Sequence, residues 1–429
     1  MTPPAPAAPS ATPTEERLSP LVFGAIVVAV VAALVATVGW ALPVVILAVL
    51  FMVMFHEFGH YITAKRAGLL VTDFFVGFGP IVWSTRVGET RYGVRAIPLG
   101  GFVKVPGMTW SDPVDPAIEP RTYRQAPYPK RVLFAAAGSL MHGVLALVIA
   151  WASLAFVGVP SASHVGVTAL STFQGQRETP AQRAGLRVGD RIVSIDGHAI
   201  SDATTLARLI HASVGVPLTL VVERGGQRLT LHATPVNGQN VEVNGQPLDT
   251  SARPEGFLGI EVGPLSVRDS VLGAVPHAAS ELGSIVVASV KGLAHVFTPH
   301  EFASLYHQVT SASAAQNRQN QLNRPESIVG VVRIAVQGAQ YGVGTMLTIL
   351  MAVNVFVGVF NLFPMLPLDG GYIAIATYER LRSRRGRPPH HADVNRLLPV
   401  IYAFVAVLGV LFAATLYLDI VHPIANPFG

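Results

Sequence analysis

The most constraining feature of the sequence is the run from Leu21 to Phe55, which contains no charged side chain. About 20 apolar residues in a helix cross the hydrocarbon core of a bilayer, so this run is long enough for two crossings. Composition agrees, because 51% of the residues are hydrophobic and only 13% are charged, whereas a soluble domain has about a quarter charged residues. The chain is therefore predicted to be an integral membrane protein.

The run contains a natural break between Gly39 and Pro43, since proline suits the first turn of a new helix. We expect two spans, 21–38 and 44–62. A single kinked helix over 21–61 is the alternative, but it would be roughly twice as long as the hydrocarbon layer is thick. The predicted fold class is a multi-span α-helical membrane protein with about five transmembrane helices. The further spans are predicted at 132–157, roughly 342–364, and 398–418.

Basic residues set the orientation, because cytoplasmic loops of membrane proteins are enriched in lysine and arginine. Two loops are basic, 63–130 and 373–397, and both are expected to be cytoplasmic. The 1–20 segment is rich in Pro, Ala and Thr and is predicted to be a disordered, retained cytoplasmic tail. A cleaved signal peptide is the alternative, but the basic n-region is missing. In order, the predicted segments are the cytoplasmic tail (1–20), the first two spans (21–62), a cytoplasmic region (63–130), the third span (131–157), two extracytoplasmic regions (158–236 and 237–340), the fourth span (341–372), a basic cytoplasmic loop (373–397), and the fifth span with the C-terminal tail (398–429).

An HExxH sequence, His56-Glu57-Phe58-Gly59-His60, lies near the end of the second predicted span. Four positions apart on a helix, the two histidines share one face, so both imidazoles can bind one Zn²⁺. Glu57 beside them could take a proton from water on the metal. The alternative is two capping or surface histidines with an incidental glutamate. Ionisable groups at membrane depth are costly and usually functional, which favours a metal site near the cytoplasmic leaflet.

A catalytic zinc site needs a third protein ligand, and the chain has no cysteine to supply it. The fourth predicted span ends in Asn361-Leu-Phe-Pro364-Met-Leu-Pro-Leu-Asp369-Gly-Gly. Each proline removes a helical hydrogen bond, and irregular backbone at membrane depth persists only beside protein or water. Asp369 reaches the same leaflet as His56 and His60, so a His₂Asp site is predicted. The alternative is a turn at the membrane edge with a solvated aspartate.

Together, the HEFGH and NLFPMLPLDGG segments resemble the site-2 protease family of intramembrane zinc metalloproteases. The segment from Phe75 to Lys104 is similar to bacterial members, and the likeness over 44–419 is greatest to actinobacterial regulators of intramembrane proteolysis that carry a PDZ domain. The resemblance implies one Zn²⁺ per chain, three metal ligands and a general base, which are His56, His60, Asp369 and Glu57. It also implies that Asn361 and Pro364 shape the unwound helix and contact substrate.

The sequence departs from the family pattern at the third span. Many members have Gly-Pro-x-x-Asn there, whereas this chain has Gly138-Ser-Leu-Met-His142. His142 stands where the asparagine is expected. It could hydrogen-bond a substrate or a tetrahedral intermediate, support the site from behind the ligands, or be merely structural. A metal-ligand role for His142 is less favoured.

Two β-prone runs, 81–87 and 90–97, follow the HExxH helix and are separated by Gly88-Glu89. This pattern predicts a membrane-associated β-hairpin. Its edge could hold an extended substrate by strand addition, as members of the family are believed to do, or it could be an ordinary cytoplasmic ribbon.

Residues 158–236 have ordinary polarity and are predicted to form an extracytoplasmic PDZ domain. The carrying pattern is Ala-Gly-Leu-x-x-Gly-Asp-x-Ile-x-x-Ile-x-Gly at 184–197, followed by a helix at 204–212 and a hairpin of 218–223 with 228–233. Such a domain could bind a peptide or a trimmed substrate stump, exclude bulky ectodomains, or be purely structural. Beyond it, 265–297 is predicted to contain an interfacial helix, and 311–325 a mobile loop.

The leading functional hypothesis is an intramembrane zinc endopeptidase that cuts single-span membrane proteins, such as anti-sigma factors, in regulated proteolysis. A non-catalytic PDZ-bearing membrane scaffold is the first alternative, and a membrane zincin acting on soluble or prenylated peptides is the second. Nothing resembles a basic nucleic-acid-binding face with interleaved aromatic residues, so no nucleic-acid partner is expected.

Overall fold

The computed structural model describes residues 20–173, 178–243, 246–247, 253–383 and 390–424. Residues 1–19 of the predicted tail, which was placed at 1–20, and the arginines of the segment 384–389 lie outside these ranges. The helices of the described residues are α1 Pro20–Val38, α2 Ala41–Ala67, α3 Tyr128–Ala152, α4 Pro180–Arg183, α5 Ala203–His211, α6 Ala274–Val296, α7 Pro299–Thr310, α8 Ala312–Gln316, α9 Arg318–Asn323, α10 Ile328–Gln340, α11 Val343–Asn361, α12 Asp369–Arg382 and α13 Leu398–Val421.

Among the described residues, four stretches are long and apolar enough to cross a membrane. They are Ala41–Ala67, Tyr128–Val157, Val343–Asn361 and Val394–Val421. A fifth is possible by length if α6 and α7, which meet at a bend of 72°, are taken together. Four of the five predicted spans correspond to these stretches, whereas the possible fifth, α6 with α7, is not the span predicted at 21–38. α1, with 19 residues, is at the lower limit of what crosses a bilayer and is not among the four.

The predicted break after the first apolar run is confirmed. α1 ends at Val38, Gly39 has φ +86°, and α2 begins at Ala41, so the run forms two helices. Only glycine adopts such a φ without strain. α2 continues past the predicted end to Ala67, where Gly68 caps it with φ +81° after the basic pair Lys65 and Arg66.

The predicted hairpin is present and longer than expected, with β1 at Asp73–Val87 and β2 at Thr90–Lys104. Both strands bend back on themselves. Residues 73–76 pair with 91–94 on one side and with 101–104 on the other, while 83–87 pair with 90–94. The segment 101–104 therefore forms one edge of this small sheet. It lies along α2, since a Cβ on Gly101 would meet Met54 and one on Gly100 would lie near Val53.

The chain divides into two compact units. The first contains the described residues of Met1–Val148, Glu281–Tyr341 and Ile349–Gly429, and the second contains Ile149–Ser280 and Gly342–Thr348. The candidate metal ligands described below all belong to the first unit.

The second unit is built on a sheet of order β12-β3-β4-β6-β7, with the short β5 paired to β4. Its core is formed by residues such as Val167, Ile192, Leu206, Leu220 and Val222, all buried. The strands of the described residues, beyond β1 and β2, are β3 Val159–Leu170, β4 Arg191–Ile195, β5 His198–Ala199, β6 Leu218–Arg224, β7 Gln227–Ala233, β8 Val236–Asn237, β9 Glu242–Val243, β10 Gln246–Pro247, β11 Gly256–Phe257 and β12 Ile260–Val267.

The predicted helix at 204–212 and the predicted hairpin around Gly225-Gly226 correspond to α5 and to β6–β7. The predicted domain end at residue 236 is too early, however. β12 pairs with β3 along its whole length and forms an edge of the same sheet, so the fold needs the chain as far as Val267.

The predicted mobile loop at 311–325 is wrong. Most of the segment is helical, in α8 and α9, and each of these helices has a side-chain N-cap from Ser311 or Asn317. Arg324 is buried and pairs with Asp419 near the end of α13, with 2.9 Å between Nη2 and Oδ1. The polar sequence indicated a loop, but its polar side chains cap short helices and pair with a carboxylate instead.

Candidate metal centre

The two histidines of HExxH and the aspartate of the broken helix come together in the first unit. His56 and His60 lie on α2, one turn apart, and Asp369 is the first residue of α12. Their facing atoms form a nearly equilateral triangle. The separations are 3.1 Å between the two Nε2 atoms, 3.3 Å from His56 Nε2 to Asp369 Oδ2, and 3.2 Å from His60 Nε2 to the same oxygen.

These distances suit a shared zinc ion. With bonds of about 2.0–2.1 Å, neighbouring donors of a tetrahedral zinc lie about 3.3–3.4 Å apart. Asp369 Oδ2 is buried and has no hydrogen-bond partner among the described residues, although two imidazole nitrogens lie close to it. A cation bound by all three donors would satisfy that oxygen. The set therefore fits a His₂Asp zinc site with one position left for water or substrate, and no other group of three or more such residues in the described chain could hold a metal.

Asp369 is placed by the irregular turn that separates α11 from α12. Residues 362–368 form successive short turns, and Leu368 ends them by accepting the N–H of Gly371. A side chain on Gly370 would overlap the Leu362 carbonyl, and one on Gly371 would overlap the backbone at Leu366. The two glycines therefore let the start of α12 pack directly on the turn, and this brings Asp369 towards α2.

α3 supports the two histidines from behind. His60 Nδ1 donates to the Phe134 carbonyl at 2.8 Å, which leaves the lone pair of Nε2 facing the other donors. His56 lies against Gly138, where any Cβ would overlap its ring. Gly59 similarly allows α2 to approach the backbone of Ala137. Neither the carbonyl nor the two glycine contacts could be read from the HExxH sequence itself.

Glu57 is half-buried and faces the edge of the hairpin. Its Oε2 accepts the backbone N–H of Val103 at 3.0 Å, so that N–H points away from the hairpin and towards the metal centre. A cleft of about 330 Å³ opens here, lined by the three donors, Glu57 and the segment 102–105. The arrangement places a carboxylate, a candidate metal centre and a strand edge around one space.

His142 is not part of the donor cluster. Its Nδ1 donates to Asn354 Oδ1 at 2.6 Å, and Asn354 Nδ2 donates to the His142 carbonyl at 2.8 Å. Both residues are buried, and the His142 ring centroid lies 5.1 Å from that of His56. His142 thus packs beside a candidate ligand, and its role stays a prediction. Asn354 was missed, although a polar amide inside an apolar helix was a signal.

Asn361 and Pro364 do not reach the cleft. Asn361 is the last residue of α11, and Pro364 belongs to the turn that follows. Pro364 lines a different cavity of about 710 Å³, between the turn, α12 and the start of α13. Neither residue is among those that line the cleft, so the role that the family resemblance implies for them stays a prediction.

Comparison with known proteins identifies the family. The model of peptidase family M50 matches residues 44–408, which includes every residue of the donor cluster and Glu57. The chain belongs to peptidase family M50.

Similar curated proteins agree. The zinc metalloprotease Rip1 of Mycobacterium tuberculosis H37Rv is 34% identical over 402 residues, covering 88% of this chain and 96% of that protein. The Rip1 of Mycolicibacterium smegmatis is 30% identical over 411 residues, with 88% and 97% covered. The predicted resemblance to site-2 proteases is confirmed, and with it the prediction of a membrane metallopeptidase whose cofactor is zinc.

Proposed function

We propose that this M50 peptidase is an intramembrane zinc endopeptidase that cuts the transmembrane segments of single-span proteins. The observation that carries the proposal is the position of the donor triangle. Two donors lie on α2, a helix long and apolar enough to span a membrane, and the third follows the broken end of α11, another such helix. A peptidase centre built on such helices suits a substrate that is itself within the bilayer.

His56, His60 and Asp369 would hold the zinc ion. Bound there, zinc supplies Lewis acidity, which polarises the scissile carbonyl and makes water a better nucleophile at neutral pH. Glu57 is the general base in this proposal. Its carboxylate takes the proton of the attacking water and then returns it to the leaving amine. The Val103 N–H holds this carboxylate in place at the rim of the cleft.

The hairpin edge would hold the substrate. A transmembrane helix must be extended before its peptide bonds can be attacked, because helical hydrogen bonds enclose the backbone. Segment 101–104 pairs with 73–76 on one side only, and on its other side Val103 faces Glu57. A substrate strand added to this edge would place its backbone beside the general base and the three donors.

We further propose that the centre lies near the cytoplasmic leaflet. α2 ends in Lys65 and Arg66, and Lys65 pairs with Glu89 at the hairpin turn, with 2.8 Å between Nζ and Oε1. Arg121 binds both oxygens of the same carboxylate. The hydrogen bonds from Arg121 and Lys65 lower the pKa of Glu89 to about 2, so it stays charged. Such a charged network at the end of α2 suits an aqueous, positive-inside face.

The second unit would act as an extracytoplasmic PDZ-type peptide-binding domain. A groove of about 340 Å³ runs beside α5, between Ile210 and His211 on one wall and 257–262 on the other. β12 forms an edge of the sheet there, which suits strand addition by an extended chain end. Binding the stump of a trimmed substrate would explain why a membrane peptidase carries this domain. Anti-sigma factors are the substrate class that the family resemblance suggests.

The decisive experiment compares wild type with Glu57→Gln. Both proteins are purified in detergent, assayed for zinc and incubated with a model single-span substrate. The variant should retain about one zinc per chain and lose cleavage by at least about 100-fold, since general-base catalysis contributes about 10²–10⁴ in rate. Glu281→Gln, which removes a carboxylate from the apolar helix α6, is the matched control and should cleave normally.

Cleavage by Glu57→Gln at the rate of the wild type would overturn the proposed mechanism. Absence of cleavage by the wild type, with intact peptide binding by the second unit, would instead support the scaffold alternative. Single-span proteins that accumulate in membranes of cells carrying Glu57→Gln are then candidate substrates.

The hairpin edge and its contact with Glu57 are tested together at Val103. Val103→Pro removes the backbone N–H that binds Glu57 and prevents pairing at this edge. Val103→Ala retains the N–H and serves as the control. We expect the proline variant to keep its zinc and lose most cleavage, whereas the alanine variant remains active. Equal activity of the two variants would show that the edge does not bind substrate.

A further inference from the structure

A buried ion pair connects α3 to α12 away from the metal centre. Arg131 Nη1 and Glu379 Oε2 are 2.6 Å apart, and the two side chains are only 10% and 5% exposed. Neither residue lines the cleft or belongs to the donor cluster. The pair joins the first turn of α3 to the third turn of α12.

Both of these helices support the proposed zinc site. Phe134, whose carbonyl orients His60, lies one turn after Arg131 on α3. Asp369 is the first residue of α12, ten positions before Glu379, and an irregular turn precedes it. That turn leaves the position of Asp369 dependent on where α12 packs. The ion pair therefore connects the helix that orients one donor to the helix that carries another.

Neighbouring groups contact both partners of the pair. The second oxygen of Glu379 accepts the N–H of Ala392 at 2.8 Å, and the Arg131 guanidinium lies 5.1 Å from the centre of the Tyr123 ring. The same Tyr123 ring lies 5.4 Å from that of Phe134 and 6.1 Å from that of Tyr372, three residues after Asp369. Tyr123 is fully buried, and this burial raises its pKa to about 12, so it remains a neutral packing group.

A buried ion pair adds little to stability compared with well-packed apolar residues, because both charges lose their hydration. Its directional hydrogen bonds do restrict how two helices pack. Zinc binding is sensitive to such restriction, since supporting groups behind ligands commonly change metal affinity by about 10–100-fold. We propose that Arg131 and Glu379 are positioning residues, which hold Asp369 at the correct distance from His56 and His60. This inference rests on the proposed zinc site.

The test uses Co²⁺, whose visible absorption reports both binding and tetrahedral geometry, on the full-length protein in detergent. Arg131→Met removes the charge and keeps much of the length, and Arg131→Lys restores the charge. The matched control is Arg324→Met. It breaks another buried arginine–carboxylate pair, with Asp419, that does not contact the donors.

We expect Arg131→Met to bind Co²⁺ at least about tenfold more weakly, with a changed spectrum, while its helix content by circular dichroism is unchanged. Arg131→Lys should recover most of the affinity, and Arg324→Met should bind as wild type does. If Arg131→Met does not fold, Glu379→Gln, which keeps the size and the acceptor for Ala392, should show the same weakening.

Two results would overturn the inference. One is wild-type Co²⁺ affinity and spectrum in folded Arg131→Met or Glu379→Gln. The other is equal weakening by Arg324→Met, which would make the effect one of general stability. Asp369→Asn is measured in parallel. Wild-type Co²⁺ binding by Asp369→Asn would show that the zinc site itself is misassigned, which is a failure distinct from that of the positioning pair.

Discussion

Gly138 offers a sharp test of the proposed metal centre, because it has no side chain that could bind metal or react. It supplies no ligand and no proton, and only its lack of a side chain matters. A Cβ built on Gly138 would lie closer than 3.0 Å to three atoms of the His56 ring, nearer than Cβ atoms approach other groups. Gly138→Ala must therefore displace the imidazole or push α3 away from α2.

The size of the effect follows from the donor triangle. Restoring an ordinary carbon contact of about 3.5 Å requires the ring to move by about 1 Å. That is a large fraction of donor separations of 3.1–3.3 Å. A ligand misplaced by this much should weaken zinc binding on the order of 10–100-fold, or about 1.4–2.8 kcal/mol, and lower cleavage at least as much.

The control lies on the same helix. A Cβ at Gly143 would meet nothing within 4 Å, so Gly143→Ala changes helix propensity alone. It should stabilise α3 by about 0.5–1 kcal/mol and leave zinc content unchanged. Zinc per chain is measured by elemental analysis after dialysis against a chelator, together with cleavage of the model substrate. Full zinc retention and activity in Gly138→Ala would refute the reasoning that the contact with Gly138 holds His56 in place for metal binding.

Three further predictions concern other parts of the chain. Burial, together with a hydrogen bond to Asp419, raises the pKa of Glu326 to about 7, so the folded protein keeps a proton that the unfolded chain loses above about pH 4.5. The free energy of unfolding should therefore fall as pH rises from about 4.5 to 7. In thermal unfolding, Glu326→Gln should be more stable than wild type at pH 8, by an amount on the order of 2–3 kcal/mol. At pH 4 the variant should have no such advantage. Glu89 has the opposite sign: its pKa is lowered to about 2, so its contribution is complete above about pH 4.5 and is lost as pH falls towards 2. Acid unfolding followed by circular dichroism should be shallower in this range for Glu89→Gln than for wild type, and identical curves would contradict the network. Finally, Gly59→Ala should separate α2 from α3, since the added Cβ would overlap the Ala137 carbonyl. The variant should therefore bind less zinc, as Gly138→Ala does. An unchanged zinc content would count against this close helix contact.

Much of the candidate site could be predicted from the sequence, because its residues either follow the helical repeat or are polar residues at positions where such residues are costly. The helical period places His56 and His60 on one face whatever surrounds them. Asp369 was recognisable because a carboxylate with prolines and glycines at the end of an apolar helix is costly unless it has a use. The hairpin and the strands of the second unit likewise follow from alternation and glycine turns.

The sequence by itself therefore determined the membrane class, the peptidase family and the residue types of the donor set. Only the tertiary structure decided how those residues are held. The Phe134 carbonyl is available to any side chain, Gly138 matters only because His56 packs on it, and Arg131 meets Glu379 across 248 positions of chain. The segment 311–325 was misjudged for the same reason, since its polarity is satisfied by α13 and by its own caps. The hydrophobic repeat and polar residues in apolar segments can be recognised in the sequence, whereas the partner of a buried group depends on which helices pack together.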